Sequence, residues 1–402
     1  MSTITEPAKT LPVSKAYDTV VCGGGIAGVS AALSCAAAGA KTLLVEREYM
    51  PGGLATAGLI AIYLPLCDGA GRQVSFGLAE RLLRLSLKHG TDAPNGVPAP
   101  WLNGGTREER TAHRFRSVFN PQVYACDLEA ALSEQGVDLL YGTVVCGVAQ
   151  AEGRITHVIV ENKSGRSAIA VKTVVDATGD ADVVHLAGED EALFGQGNVL
   201  AAWYCFSEDG RYRMRMLGAS DVPDGDTTLT RKKPLVERRF GGLDADDLTD
   251  QVLLSHRASL EDFFKNGALS EDHSLATLPT IPQVRMTRRV QGESTLNERD
   301  DRVAFADSVG LFSDWRKRGP VYEMRFSALH GTKVKNLICA GRNISVTDAM
   351  WDITRVIPVC AVSGQAAGIA AALFDDFTRG DLPLLQQRLQ ADGVLLHEGE
   401  LH

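Results

Sequence analysis

The sequence predicts an α/β fold, a mainly parallel sheet with helices on both faces, interrupted by an inserted α+β lobe. Three observations predict it. A strand–glycine turn–helix–strand unit opens the chain, the same alanine- and glycine-rich texture returns after Asn336, and between them the texture changes. A length of 402 residues fits two lobes, because single cores stop growing at about 250–300 residues.

The opening unit spans Tyr17 to Glu46. Tyr17–Cys22 is a short apolar run of β character, Gly23–Gly25 is a turn, and Ile26–Ala38 is a helix stopped by Gly39. Lys41–Glu46 is a second apolar run, so the two strands should be parallel. Met1–Lys15 is polar, lacks the apolar core of a signal peptide, and reads as a flexible tail. Ser75–Lys88 and Pro121–Gln135 read as helices, with Thr91–Gly105 as a long loop between them. Val137–Ala149, Arg154–Glu161 and Ala168–Thr178 read as strands, giving a small meander at about 141–175. From about Phe194 to Pro320, strand-like pieces (Val199–Phe206, Pro282–Val290) alternate with charged stretches. The expected division is therefore 1–193 and 321–402 for the first lobe and 194–320 for the cap.

Composition narrows the function classes. With 45% hydrophobic and 23% charged residues the chain is an ordinary globular protein, and its net charge of −9 supplies no field for nucleic acid or an anionic membrane. The basic run Arg231–Arg239 reads as solvated or substrate-facing surface. Eight cysteines are scattered without a C-x-x-C pair, which argues against zinc, iron–sulfur or dithiol chemistry and fits a reducing, cytoplasmic setting. No metal-ligand spacing is present. Val356–Phe374 is apolar enough to suggest a membrane span, but Pro358, Gln365 and its many small residues fit a closely packed core helix.

The strongest chemical signal is Gly23-x-Gly25-x-x-Gly28 between a strand and a helix, with Glu46 ending the next strand. In this arrangement the first glycine makes the tight turn, the second admits a pyrophosphate, and the third lets helix and strand approach. The helix N-terminus faces the phosphates and the acid accepts from a ribose, which disfavours a ribose 2′-phosphate. Three further glycine-bearing segments follow: Pro51–Gly58, Val174–Asp180, and Leu337–Arg342 with the helix opening at Pro358. Their spread over the chain suits a cofactor as long as FAD lying across one sheet, in a Rossmann-like domain.

These motifs resemble those of the FAD-dependent oxidoreductases of the glutathione-reductase-like superfamily, in the branch related to fumarate reductase flavoproteins and heterodisulfide-reductase-type flavoproteins. The matching pieces are Val20–Gly28, Gly52–Gly58, Asp176–Asp182, Pro282–Glu293, Ala340–Ser345 and Thr354–Gly368. The resemblance implies that Gly23, Gly25 and Gly28, with Ile26 and Ala27, hold the pyrophosphate of non-covalent FAD. It implies Glu46 and Arg47 at the adenosine ribose and Val145 near the adenine. Gly53, Leu54, Ala55 and Thr56 would line the extended cofactor. Ala177, Thr178, Gly179, Gly341, Arg342, Val359, Gly364 and Ala367 would approach the ribityl chain and flavin ring. Where relatives carry His-Glu after the Ser-x-Thr step, this chain carries Asp348-Ala349.

On the substrate side, hydride transfer at flavin N5 needs a group that moves a proton. Candidates are Asp348, Asp352 and His330, with Arg355 and Arg288 available for an anionic group. Period-two alternation in Pro282–Val290 puts Val284, Met286, Arg288 and Val290 on one face, where Arg288 needs a buried acid such as Glu293, a substrate carboxylate or the cofactor as its partner. The expected function is a flavoenzyme acting on a small organic molecule, anionic or neutral, working as a homo-oligomer or alone. An electron-transfer flavoprotein subunit and a flavin-dependent isomerase or hydratase stay open beside it.

Overall fold

The computed structural model describes residues 3–90, 96–218 and 234–401. Of the basic run Arg231–Arg239, the first three residues lie outside the described residues, as does part of the loop expected at Thr91–Gly105.

The chain opens with β1 (Val13–Cys22), α1 (Ile26–Ala37) and β2 (Thr42–Val45). After β3 (Ile62–Tyr63), α2 (Leu78–Ser86), α3 (Ala99–Leu102), α4 (Arg107–Ala112) and β4 (Ser117–Val118), it returns to the sheet through α5 (Pro121–Glu134) and β5 (Asp138–Leu140). The meander β6 (Val144–Ala151), β7 (Arg154–Asn162) and β8 (Gly165–Asp176) follows, then α6 (Asp182–Ala187) and β9 (Glu191–Leu193). A separate antiparallel layer is built by β10 (Ala201–Glu208), β11 (Arg211–Gly218) and β12 (His273–Thr277), covered by α7 (Ala245–Asn266). β13 (Arg288–Val290), β14 (Ser308–Ser313) and β15 (Val321–Arg325) lead back to β16 (Leu337–Cys339), α8 (Asp348–Thr354), α9 (Ile357–Leu373) and α10 (Leu382–Ala391).

The main sheet runs β5-β2-β1-β8-β7-β6, with β16 also paired to β8. β8 is long enough to serve two partners along one edge: Gly165–Ala170 pairs antiparallel with β7, and Val174–Asp176 pairs parallel with β16. The register brings the carboxyl ends of the parallel strands level, since Cys22 faces both Val45 and Asp176, and Asp176 faces Cys339. The crevice outside those ends is where open α/β sheets bind ligands.

β1 starts at Val13, earlier than the apolar run implied, so the expected tail of 1–15 is shortened. Val13 and Lys15 find partners at Ala168 and Ile169, and backbone pairing there does not depend on side-chain polarity.

Helix α9 is apolar on every side and buried almost throughout because it sits inside the fold. It lies against α1 so closely that a Cβ on Gly364 would meet the Ala27 carbonyl oxygen at 2.3 Å, and one on Gly368 the Ala31 oxygen at 2.2 Å. Among the described residues no single helix is long and apolar enough to cross a membrane, and α8 and α9 are bent by 91° at their junction.

The expected strand Pro282–Val290 forms a ladder only at Arg288–Val290, against β9. Upstream, a side chain takes the place of a neighbouring strand. Asn198 Oδ1 accepts from the N–H groups of Arg285 (3.1 Å) and Met286 (2.9 Å), and its Nδ2 donates to Met286 O. The alternation fails with it: residues 284–288 are all buried, because this segment is the seam between the two layers. The seam is tied to the first lobe by Thr280 N–H to Ala57 O (2.9 Å) and Gln283 Nε2 to Gly58 O (2.6 Å).

Candidate active site

The β1–α1 turn is built by close packing. Gly23 sits at φ +102°, where a Cβ would meet the Ala177 carbonyl oxygen at 2.5 Å, and its N–H donates to Val45 O at 2.8 Å. A Cβ on Gly28 would meet Gly23 O at 1.8 Å. Gly25 is different: a Cβ there would meet no protein atom within 4 Å. Gly25 is also the N-cap of α1 and offers no side-chain cap, so the helix presents its first N–H groups and positive end beside the open position. That is the cradle a pyrophosphate requires.

Glu46 lies beside it, 8% exposed. Its Oε2 accepts from Gly24 N–H at 2.5 Å and its Oε1 from Glu48 N–H at 2.8 Å. Burial pushes its carboxyl above the usual range, opposed by those two N–H donors. Further along, Gly52 N–H donates to Gly24 O (2.7 Å), which lays the turn Gly53–Ala55 against the glycine loop.

Beyond β8, the Asp180 carboxylate gathers two donors, Arg342 Nη2 (2.9 Å) and Thr287 Oγ1 (2.7 Å), while Arg342 Nη1 donates to Val284 O (2.9 Å). α8 and α9 bring Arg355, Ile357 and Cys360 to the same space. Behind Arg355 runs a buried chain of charge. Arg355 Nε donates to Asp352 Oδ1 (3.1 Å), Asp352 Oδ2 lies 3.6 Å from Arg316 Nη1, and Arg316 holds both carboxylate oxygens of Asp314 at 3.0 Å.

All of these elements border one cleft of 630 Å³, within the ~300–1,000 Å³ range of ligand pockets. Its other wall comes from the cap layer and seam: Leu248, Thr249, Val252 and Leu253 of α7, with Thr280, Ile281, Pro282 and Val284.

Of the residues expected at a cofactor, Gly23, Gly25, Ile26, Ala27, Glu46, Arg47, Gly53, Leu54, Ala55, Val145, Ala177, Thr178, Gly179, Gly341 and Arg342 line this cleft. Gly28, Thr56, Val359, Gly364 and Ala367 stand behind it. Thr56 is fully buried with its hydroxyl donated to Pro51 O, and Gly364 is at the α1–α9 contact.

Of the residues expected in catalysis, only Arg355 lines the cleft. Asp352 is fully buried behind it. Asp348 turns away to Arg289, 2.7 Å distant, and that guanidinium stacks on Trp351. His330 is buried against Phe326, its Nδ1 on Gly331 O. Arg288 is paired with Asp182 (2.9 Å) and the Asp180 carbonyl (2.9 Å), a structural use in which Asp182 takes the place expected of Glu293. Sequence reasoning missed Asp180, Cys360 and the whole α7 wall. The signal for that wall was the spacing of Leu248 and Val252, one helical turn apart.

Comparison with known proteins shows the family of the chain. A family model described as FAD dependent oxidoreductase matches residues 18–198 and 211–379. The chain belongs to that family. It is an FAD-dependent oxidoreductase, and FAD is its cofactor. The flavoenzyme is also similar to a vinyl phenol reductase of Lactiplantibacillus plantarum, 29% identical over 195 residues that make up 42% of this chain and 39% of that protein. The chain thus matches about two fifths of the length of that curated relative. Among solved structures, similarity extends over 94% of this chain to a geranylgeranyl bacteriochlorophyll reductase-like protein from Thermoplasma acidophilum (83% of that chain, 14% identity, TM-score 0.45). It extends over 94% of this chain to an anhydrotetracycline hydroxylase from Streptomyces rimosus as well (65% of that chain, 15% identity, TM-score 0.45).

Proposed function

We propose that this flavoenzyme, a member of the fumarate-reductase-like branch of the glutathione-reductase-like superfamily, transfers a hydride between a small organic substrate and the N5 position of non-covalently held FAD. FAD supplies the two-electron chemistry. The chain's own residues hold it, orient the substrate and keep water out.

The observation that carries this reading is the division of the cleft into two unlike walls. The sheet side offers a helix N-terminus, backbone N–H groups, Glu46 and Arg342. The cap side offers Leu248, Val252, Leu253, Ile281 and Pro282. The first suits a charged dinucleotide, and the second suits an aryl or alkyl body stacked over a flat ring. The name of the vinyl phenol reductase supports an alkene conjugated to an aromatic ring as the substrate class.

Arg355 and Cys360 are the proton-bearing groups that α8 and α9 bring to the cleft. Burial pushes the Cys360 thiol up to about 12, so at neutral pH it keeps its proton and is a poor nucleophile toward the cofactor. Arg355, anchored by Asp352, sets a fixed positive charge at the same end of the cleft. Asp348, Asp352 and His330 are withdrawn from the proton-transfer role, since none borders the cleft.

The test is anaerobic mixing of photoreduced enzyme with 4-vinylphenol. The expected result is return of the oxidised flavin's visible absorption with formation of 4-ethylphenol. No reoxidation by this or related aryl alkenes, in protein that oxygen still reoxidises, would overturn the substrate class.

A further inference from the structure

Beneath the cap helix lies a second, much smaller cavity. α7 turns Gln251, Ser255 and Ser259 toward the cap sheet, each one helical turn from the next. All three are buried, Gln251 at 1% exposure and Ser255 at 6%. Among the described residues, neither the amide nitrogen nor the amide oxygen of Gln251 has a hydrogen-bond partner, and neither does Ser255 Oγ. Burying an amide without a partner is costly, so native proteins seldom do it without something that pairs it.

Gln251 and Ser255 border a cavity of 10 Å³, shared with Ala201, His256, Pro279 and Gln283. That is room for about one water-sized group. The other polar side chains around it are engaged: Gln283 Oε1 accepts from Trp203 N–H (3.0 Å), its Nε2 donates to Gly58 O (2.6 Å), and His256 Nε2 lies 3.3 Å from Pro279 O. Among the described residues, no Lys, Arg, Asp or Glu lines it. What it offers is therefore a neutral amide and a hydroxyl, each able to donate and to accept. Val252, Ile281 and Pro282 border both this cavity and the main cleft, so the two spaces adjoin at these side chains.

We propose that Gln251 and Ser255 form a specificity pocket for a hydroxyl group at the far end of the substrate, entered from the cleft past Val252. The oxygen occupies the small cavity while the apolar body stays on Leu248, Val252, Ile281 and Pro282. A carboxylate is disfavoured there because no cation would meet it. This assignment rests on the proposed function for the cleft being the substrate's site, and it adds which substrates are preferred.

The experiment is calorimetric titration of the FAD-loaded enzyme with 4-ethylphenol and with ethylbenzene, which differ only by the hydroxyl. Wild type should bind the phenol about tenfold or more tightly, the discrimination expected of a site built to pair a hydroxyl. Gln251→Leu should bring the two affinities to within about twofold while the melting temperature holds or rises, since an unpaired buried amide has been replaced by an apolar group of similar size. Ser255→Ala, the smaller change, should cut the preference about threefold or more and carries the test should Gln251→Leu not fold. Equal binding of the two ligands by wild type, or a preference undiminished in both variants, would overturn the pocket and leave the cavity to a structural water. Discriminated binding without redox turnover would instead overturn only the proposed reaction.

Discussion

Gly25 separates cofactor binding from folding more cleanly than any other position in the cradle. Its backbone, at φ −63° and ψ 177°, is open to any residue, and a Cβ there would meet no protein atom within 4 Å. Gly25→Ala should therefore leave the apoprotein's stability nearly unchanged. Alanine is a poorer N-cap than glycine, but it also restricts the unfolded chain by about 0.4–1 kcal/mol, and the two roughly cancel. The methyl group instead stands where the pyrophosphate approaches the backbone. Displacing a closely packed group there costs about 1–3 kcal/mol, or roughly 5- to 150-fold in affinity. Gly28→Ala should behave in the opposite way. Its Cβ would lie 1.8 Å from Gly23 O, so the turn itself must move, and the apoprotein should lose about 2 kcal/mol or more. The assays are urea denaturation of both apoproteins and flavin fluorescence titration. Native FAD affinity in Gly25→Ala, or a loss of apoprotein stability equal to that of Gly28→Ala, would refute the division of roles.

Two further predictions follow from buried charge. Asp352 is fully buried between Arg355 and Arg316, so Asp352→Asn leaves two cations with too little countercharge and should cost about 3 kcal/mol or more in urea denaturation; a change below about 1 kcal/mol would mean the network is solvated. Asp176, fully buried beneath the cleft, has its carboxyl pushed up to about 6 chiefly by burial, opposed by Thr178 and Val184 N–H groups. The folded state then holds the proton more tightly than the unfolded chain, so the stability that Asp176 contributes is fullest below about pH 4 and falls, by about 3 kcal/mol, as pH rises through about 6. Asp176→Asn should flatten that fall, and an unchanged profile would contradict it.

How much of this was legible in the sequence depended on how local the determining physics is. The β1–α1–β2 unit could be read directly, because glycine spacing, helix composition and the acid at Glu46 are all set within one short stretch. The strands that end near Cys22, Val45, Asp176 and Cys339 were legible for the same reason, each being an apolar run that stops at a small or acidic residue, whereas the register that levels their ends is set by pairing between distant segments. The seam at 282–290 was misread because its hydrogen bonds go to the Asn198 side chain, a partner that local alternation cannot reveal. The catalytic candidates near residue 350 were misplaced for a related reason. Spacing puts Asp348, Asp352 and Arg355 on one face of α8, so helical periodicity could not separate them, and only the fold decides which of them meets the cleft. α9 illustrates the converse limit: Gly364 shares a segment with Cys360, yet it packs on α1 while Cys360 faces the cleft.

The most direct test of the account is the visible spectrum of the purified protein, with mass analysis of the chromophore released by acid. Purified protein should be yellow and release intact FAD in about one-to-one ratio, lost in step with affinity in Gly25→Ala. A colourless protein that FAD cannot reconstitute would contradict the assignment of the cleft, and a flavin that stays with the denatured chain would contradict its non-covalent binding.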